Sequence, residues 1–287
     1  MRIDAHQHFW RLDRGDYHWL TEDMTALYRD FGPNDLEPHL GIGRIEATIA
    51  VQAAPTEEET EFLLDMAANH NWIAGVVGWA DLEATNAVTR IARLARRDRL
   101  VGLRPMLQDL PDVNWISRAS IAPALRAMEM HGLVLDALVR AEQIDLIHDL
   151  AWRHPGLVIV LDHAGKPPLM KDLTEWRASI ARLANCPNVY VKLSGLLTEA
   201  TDGADARSLR PLYDNLLFAF GASRLLWGSD WPVVTSKANY AQWLKMAERL
   251  IAGLSESERD AVMGGNAAHV YGIATVREPQ PPRHLPA

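Results

Sequence analysis

Four ionisable residues stand where apolar strand-like runs would otherwise end in valine or leucine. His6 and His8 lie in "RIDAHQHF", His163 closes "VIVLDHAGKP" and Asp230 closes "LLWGSDWP". Three imidazoles and one carboxylate could bind one divalent metal, and they could equally activate a water and stabilise an oxyanion. Burying such groups costs free energy, so apolar runs that end in them require a reason. Gly228, two residues before Asp230, leaves room on the same strand face for an approaching group.

Along an extended strand successive side chains alternate faces. Asp4, His6, His8 and Trp10 are therefore expected on one face, with Ile3, Ala5, Gln7 and Phe9 on the other. In a barrel the polar set would line the interior and the apolar set would meet the helices. Gln52 in "VQAA", Trp79 in "VGWAD", Arg104 in "GLRPM" and Lys192 in "VYVKLSG" also close strand-like runs. An inward cation could hold a carboxylate or polarise a carbonyl, and its alternative role is an ion pair with Asp4, Asp81 or Asp136. Trp10, Trp79 and Trp231 offer flat apolar faces with one polar tip, suited to a sugar ring or to core packing.

The elements that must position these residues follow from periodicity. Short β-branched runs such as "ATIAVQAA", "IAGVVGWA" and "LVIVLDHA" alternate with stretches of helical period such as "TEEETEFLLDMAANH" and "NYAQWLKMAERLIAGL". That alternation is the pattern of βα units on a parallel sheet. Eight strands in 287 residues match a closed (β/α)8 TIM-type barrel, whose active sites lie at the C-terminal ends of the strands. Thr56, Asn86 and Asn239 are expected to cap helices. Residues 10–42 form a long excursion after the first strand, able to roof an active site or to serve as a packing collar. One domain over 1–274 is expected, followed by a proline-rich extended tail over 275–287.

Composition narrows the function classes. The net charge is −8, and no basic block offers the continuous positive surface that a phosphate backbone needs, so nucleic acid is excluded as a partner. No apolar run approaches the ~20 residues that span a bilayer, and Asp4 stands where a signal peptide would have its apolar core, which points to a cytoplasmic protein with no membrane partner. Cys186 is the only cysteine, so no intrachain disulfide can form. No G-x-G-x-x-G or G-x-S-x-G occurs, which removes dinucleotide binding and α/β-hydrolase chemistry. Nothing in the chain marks an oligomeric interface.

Together "RIDAHQHFW", "YHWL", "VQAAPTEEET", "GLRPML", "VLDHAGKP", "VKLSGL", "LLWGSDWPV" and "GNAAHVYGI" resemble the amidohydrolase superfamily in its amidohydrolase 2 branch, up to about Ile273. Within it the chain is most similar to sugar lactonases of the L-fuconolactonase and L-rhamnonolactonase type. The resemblance implies a distorted (β/α)8 barrel with His6, His8, His163 and Asp230 as the functional positions. It implies no strictly required cofactor, with one divalent cation such as zinc admissible on those four residues. No metal-bridging lysine ends a middle strand, which departs from the binuclear members.

The expected reaction is hydrolytic opening of a sugar lactone such as L-fuconolactone, with Asp230 as base and His6, His8 and His163, or a metal they hold, polarising the carbonyl. Trp10, Trp79 and Trp231 would stack on the sugar, and Gln52, Arg104 and Lys192 would read its hydroxyls. The rivals are a metal-dependent decarboxylase of a small aromatic acid and a non-catalytic sugar-binding barrel.

Overall fold

A computed structural model describes residues 1–274. Eight strands run β1 (Ile3–Gln7), β2 (Ala47–Val51), β3 (Ile73–Gly78), β4 (Leu100–Leu103), β5 (Val134–Ala137), β6 (Ile159–Leu161), β7 (Val189–Leu193) and β8 (Leu225–Trp227), each parallel to its neighbour in sequence order. The helices between and after them are α1 (Pro33–Gly43), α2 (Glu57–Asn69), α3 (Ala87–Leu94), α4 (Ala122–Met130), α5 (Ile144–Arg153), α6 (Thr174–Leu183), α7 (Ala206–Phe220) and α8 (Tyr240–Leu250). Two short helices, α9 (Glu256–Asp260) and α10 (Asn266–Val270), follow. This is the expected (β/α)8 barrel. The expected tail lies outside the described residues. No helix among the described residues is long and apolar enough to cross a membrane.

Alternation along the strands separates two apolar layers. Ala50, Val76, Leu103, Leu135, Leu161, Val191 and Trp227 join the helices in the outer core. Ile49, Val51, Val77, Val134, Val160 and Leu226 fill the barrel interior with Tyr271. A residue's inward or outward aim thus follows from its parity relative to these positions.

β1 breaks that parity. Between Asp4 and Gln7 it advances three residues while β2 advances two, from Thr48 to Ala50, which is a β-bulge. The expectation that Asp4 shares a face with His6 and His8 fails for this reason, as does the placing of Ile3 and Ala5 against the helices. Ile3 and Ala5 belong to the interior cluster, whereas Asp4 accepts hydrogen bonds from Ser229 N–H at 2.7 Å and from the Tyr240 hydroxyl of α8 at 3.0 Å. The bulge keeps His6 inward although Ala5 is inward too.

Thr56 and Asn239 cap α2 and α8 through their side chains, and Asn86 makes no such bond at α3. The excursion after β1 ends sooner than expected, because α1 takes its final third. Pro33 starts that helix, Pro38 lies inside it and Gly41 and Gly43 close it, a composition that hides a helix from propensity.

In α2, the carboxylate of Glu59 accepts the N–H groups of Ala53 (3.0 Å) and Ala54, tying down the loop after β2. Burial pushes this carboxyl up to about 8, against the pull of the two N–H donors. Between the ordinary 4.5 and 8 the folded protein keeps a proton that the unfolded chain releases, so this group removes stability as pH rises through that window. Glu59→Gln is expected to flatten the fall, as measured by denaturant unfolding at pH 5 and pH 8.5. An unchanged pH slope would contradict the assignment.

Candidate active site

The barrel closes where β8 returns to β1, and His6, His8 and Asp230 sit on that seam. Asp230 N–H donates to His6 O at 2.8 Å, and His8 N–H donates to Trp231 O at 2.7 Å. These two bonds interleave the end of β8 with the end of β1, bringing His6, His8 and Asp230 to one point. His6 Nε2 and His8 Nε2 lie 3.1 Å apart, with Asp230 Oδ1 at 3.7 Å from the first and 3.4 Å from the second. His163 joins them, its ring centroid 4.6 Å from that of His6.

Backbone conformation at two of these residues is held against preference. Asp230 has φ 57° and His163 φ 52°, in the left-handed region that non-glycine residues rarely occupy. Such positions cost about 1–3 kcal/mol each and persist where the surroundings over-determine them. The surroundings here include two glycines without spare room. A Cβ on Gly195 would lie 2.5 Å from His163 Nδ1, and one on Gly228 would lie 2.7 Å from His6 Cβ. Gly228→Ala is therefore expected to displace His6 and to lower kcat/KM by roughly 10²-fold, with far-UV circular dichroism unchanged. Wild-type turnover by this variant would contradict the tight fit.

Hydrogen bonds on the far side of each imidazole set its aim. His8 Nδ1 is 2.7 Å from Val51 O, which can only accept, so Nδ1 carries the hydrogen and Nε2 keeps its lone pair. His6 Nδ1 lies 3.3 Å from Asp162 Oδ1 and 3.2 Å from Lys192 Nζ. His163 Nδ1 is 2.9 Å from the Ser194 hydroxyl.

Beneath the imidazoles lies a fully buried ionic floor. Lys192 Nζ is 2.5 Å from Asp136 Oδ2 and 3.1 Å from Asp162 Oδ1, and Arg104 Nη1 is 3.2 Å from Asp162 Oδ2. The Tyr271 hydroxyl donates to Asp136 from below. Burial alone would raise Asp162, but Lys192, His6 and Arg104 hold it well below the usual carboxylate range. Burial also favours neutral imidazoles, taking His6 well down and His163 to about 4 against the opposing charge of Asp230. Burial would raise Asp230 as well, yet His163, His8 and His6 keep it below its ordinary value.

The donors fit a single divalent ion. A tetrahedral zinc with ligands at about 2.1 Å separates them by about 3.4 Å, against the 3.1, 3.4 and 3.7 Å found between His6, His8 and Asp230. His8 Nδ1–H on a carbonyl and His6 Nδ1 beside a carboxylate are the outer contacts that orient ligating histidines. His6, Asp162 and His163 form a second group of suitable geometry, but Lys192 and Arg104 already neutralise its carboxylate.

Other expected residues are placed differently. Arg104 lines the cavity and is held by Gln52, whose side-chain oxygen accepts from Nε at 2.9 Å. The Gln52 amide is taken by Arg104 and Ala54 O, and the Lys192 ammonium by Asp136, Asp162 and His6, so both support neighbours. Trp10 and Trp231 pack edge-to-face on Phe31, are 0% and 2% exposed, and are not among the residues lining the cavity, where stacking on a sugar was expected of them. Trp79 lines an adjacent groove.

The inner cavity is about 230 Å3, and Trp19, Gln108, Lys166 and Glu199 line it with His8, His163 and Asp230. None of those first four was singled out for chemistry by sequence, nor was Asp162. Asp162 had a signal: it shares the inward parity of Val160 on β6. The loop residues had none, because loop direction is not periodic.

The sequence matches the amidohydrolase family over residues 3–273. The chain belongs to that family. It is 45% identical over 277 residues to an L-fucono-1,5-lactonase of Burkholderia ambifaria, covering 95% of this chain and 96% of the relative. An L-fucono-1,5-lactonase of Burkholderia multivorans is 40% identical over 286 residues, covering 95% of this chain and 96% of the relative. A solved Burkholderia multivorans amidohydrolase with bound zinc has a TM-score of 0.91 at 40% identity, covering 96% of this chain and 100% of that one. A 5-carboxyvanillate decarboxylase from Sphingomonas paucimobilis shares the fold alone, at 17% identity and TM-score 0.63 over 95% of this chain and 99% of that one.

Proposed function

We propose that this amidohydrolase opens a sugar 1,5-lactone to its sugar acid, with L-fucono-1,5-lactone as substrate. The observation that carries the reading is a buried carboxylate, Asp230, with Oδ1 at 3.7 and 3.4 Å from the His6 and His8 imidazoles, lining with His163 a cavity sized for one small ring. Full-length identity of 45% and 40% to L-fucono-1,5-lactonases supports it. The decarboxylase alternative has only a distant likeness of fold in its favour.

His6, His8 and Asp230 would hold one divalent ion, and when bound it supplies positive charge to the lactone carbonyl. Both contacts of Asp230 to the imidazoles run through Oδ1, leaving Oδ2 to orient a water and take its proton as the oxygen attacks the carbonyl carbon. His163, kept neutral by burial and oriented by Ser194, donates from Nε2 to the developing oxyanion. The bond from the carbonyl carbon to the ring oxygen then breaks, and Asp230 returns its proton to that oxygen. The acid ionises on release, so each turnover delivers one proton to the medium.

A pH-indicator assay over a panel of L- and D-sugar 1,5-lactones, with and without added zinc, tests the reading. L-Fucono-1,5-lactone is expected to give saturable acid release proportional to protein. Release no faster than spontaneous opening for every sugar lactone, with and without zinc, would overturn it.

A further inference from the structure

A larger groove of about 650 Å3 adjoins the inner cavity, and the two share Trp19, Met106 and Asp109. The groove lies over the ends of β2, β3 and β4 and presents the indoles of Trp79 and Trp115 together with Leu82 and Leu110. A single lactone ring seated at Asp230 fills the inner cavity and leaves this groove untouched. Its volume falls in the roughly 300–1,000 Å3 range of ligand sites, whereas the inner cavity falls below it.

Three tryptophans, Trp19, Trp79 and Trp115, and three acids, Asp81, Glu83 and Asp109, are among the residues that line the groove. Trp115 Nε1–H donates to Glu83 Oε2 at 2.8 Å, and Arg118 bonds both Glu83 (2.7 Å) and Asp112 (2.9 Å), which fixes that indole in place. Asp81 stands two residues after Trp79 on the same wall, and Asp109 marks the junction with the inner cavity. Indole faces take the C–H faces of a pyranose, and neighbouring carboxylates accept from its hydroxyl edge. Glu83 and Asp109 are bonded to Arg118 and Arg140, and Asp81 Oδ1 accepts the Glu83 N–H at 3.0 Å, so Asp81 Oδ2 is the acceptor that a sugar hydroxyl would meet and an apolar tail would not use.

We infer that the groove is a second sugar subsite, so that the enzyme takes lactones bearing a further glycosidically linked ring. The inference rests on the lactonase reading for the occupant of the inner cavity, and its test does not need turnover. Calorimetric titration of the zinc-supplemented protein with gluconate, maltobionate and lactobionate compares one sugar acid with and without a second ring. At least one of the two-ring acids is expected to bind about tenfold more tightly than gluconate. Trp115→Ala, which removes the ring face, and Leu110→Trp, which fills the groove, should each cut that advantage below about threefold with gluconate affinity unchanged.

Equal affinity for all three acids in the wild type would overturn the inference, as would an advantage that survives both substitutions. So would an equal gain for 5-hydroxydecanoate, which carries an alkyl tail in place of the second ring. Acid release from L-fucono-1,5-lactone, followed in parallel, separates the two questions: its absence counts against the lactonase reading, while the affinities alone decide the groove.

Discussion

Asp230→Asn is expected to lower kcat/KM for L-fucono-1,5-lactone by about 10³-fold while leaving the fold intact. Among residues with a side chain, asparagine is one of the best able to hold the left-handed backbone found at Asp230, so the seam bond from its N–H to His6 O survives the change. What disappears is the negative charge between three imidazoles and the acceptor for the proton of water. Steady-state kinetics with a parallel melting curve checks this. A folded variant within threefold of wild type would remove Asp230 from the mechanism.

The largest expected stability effect is at Lys192, near the C-terminal end of β7. Its ammonium is 0% exposed and holds Asp136 and Asp162 together beneath His6. Removing one partner of a buried ion pair leaves uncompensated charge and costs about 3–5 kcal/mol, whereas replacing both partners with apolar groups is often close to neutral. Lys192→Met should therefore melt roughly 6–20 °C lower than wild type. Adding Asp136→Leu should restore more than half of the loss, because Asp162 keeps Arg104 as a partner. A melting temperature within 2 °C of wild type for the single variant would show that the floor carries little stability.

Much of this site is legible in the chain because strand ends announce themselves. His163 and Asp230 each follow an apolar run of strand length, and the barrel places the ends of all eight runs on one rim. The alternation in "RIDAHQHF" correctly separates inward His6 and His8 from outward Gln7 and Phe9. It misplaces Asp4, Ile3 and Ala5, since a bulge is set by pairing with β2 and has no counterpart in composition. Asp4 turns outward to tie β8 to α8, a bond between residues more than 200 positions apart.

The tryptophans were the least legible residues. Trp10 and Trp231 have the amphipathic shape of a sugar platform, yet packing against Phe31 buries their faces. Trp19 and Trp115, equal to them in type, line the cavity and its groove because loops carry them there. Residue type fixes what a side chain could contact, and only tertiary placement decides whether that face is open.

The central claim is that this seam of histidines and aspartate opens a sugar lactone. Proton NMR of L-fucono-1,5-lactone with the zinc-supplemented protein tests it most directly. Conversion to L-fuconate as the sole product is expected, many times faster than the spontaneous reaction. Lactone that decays only at the spontaneous rate, alongside release of CO2 from an aromatic carboxylic acid, would contradict it.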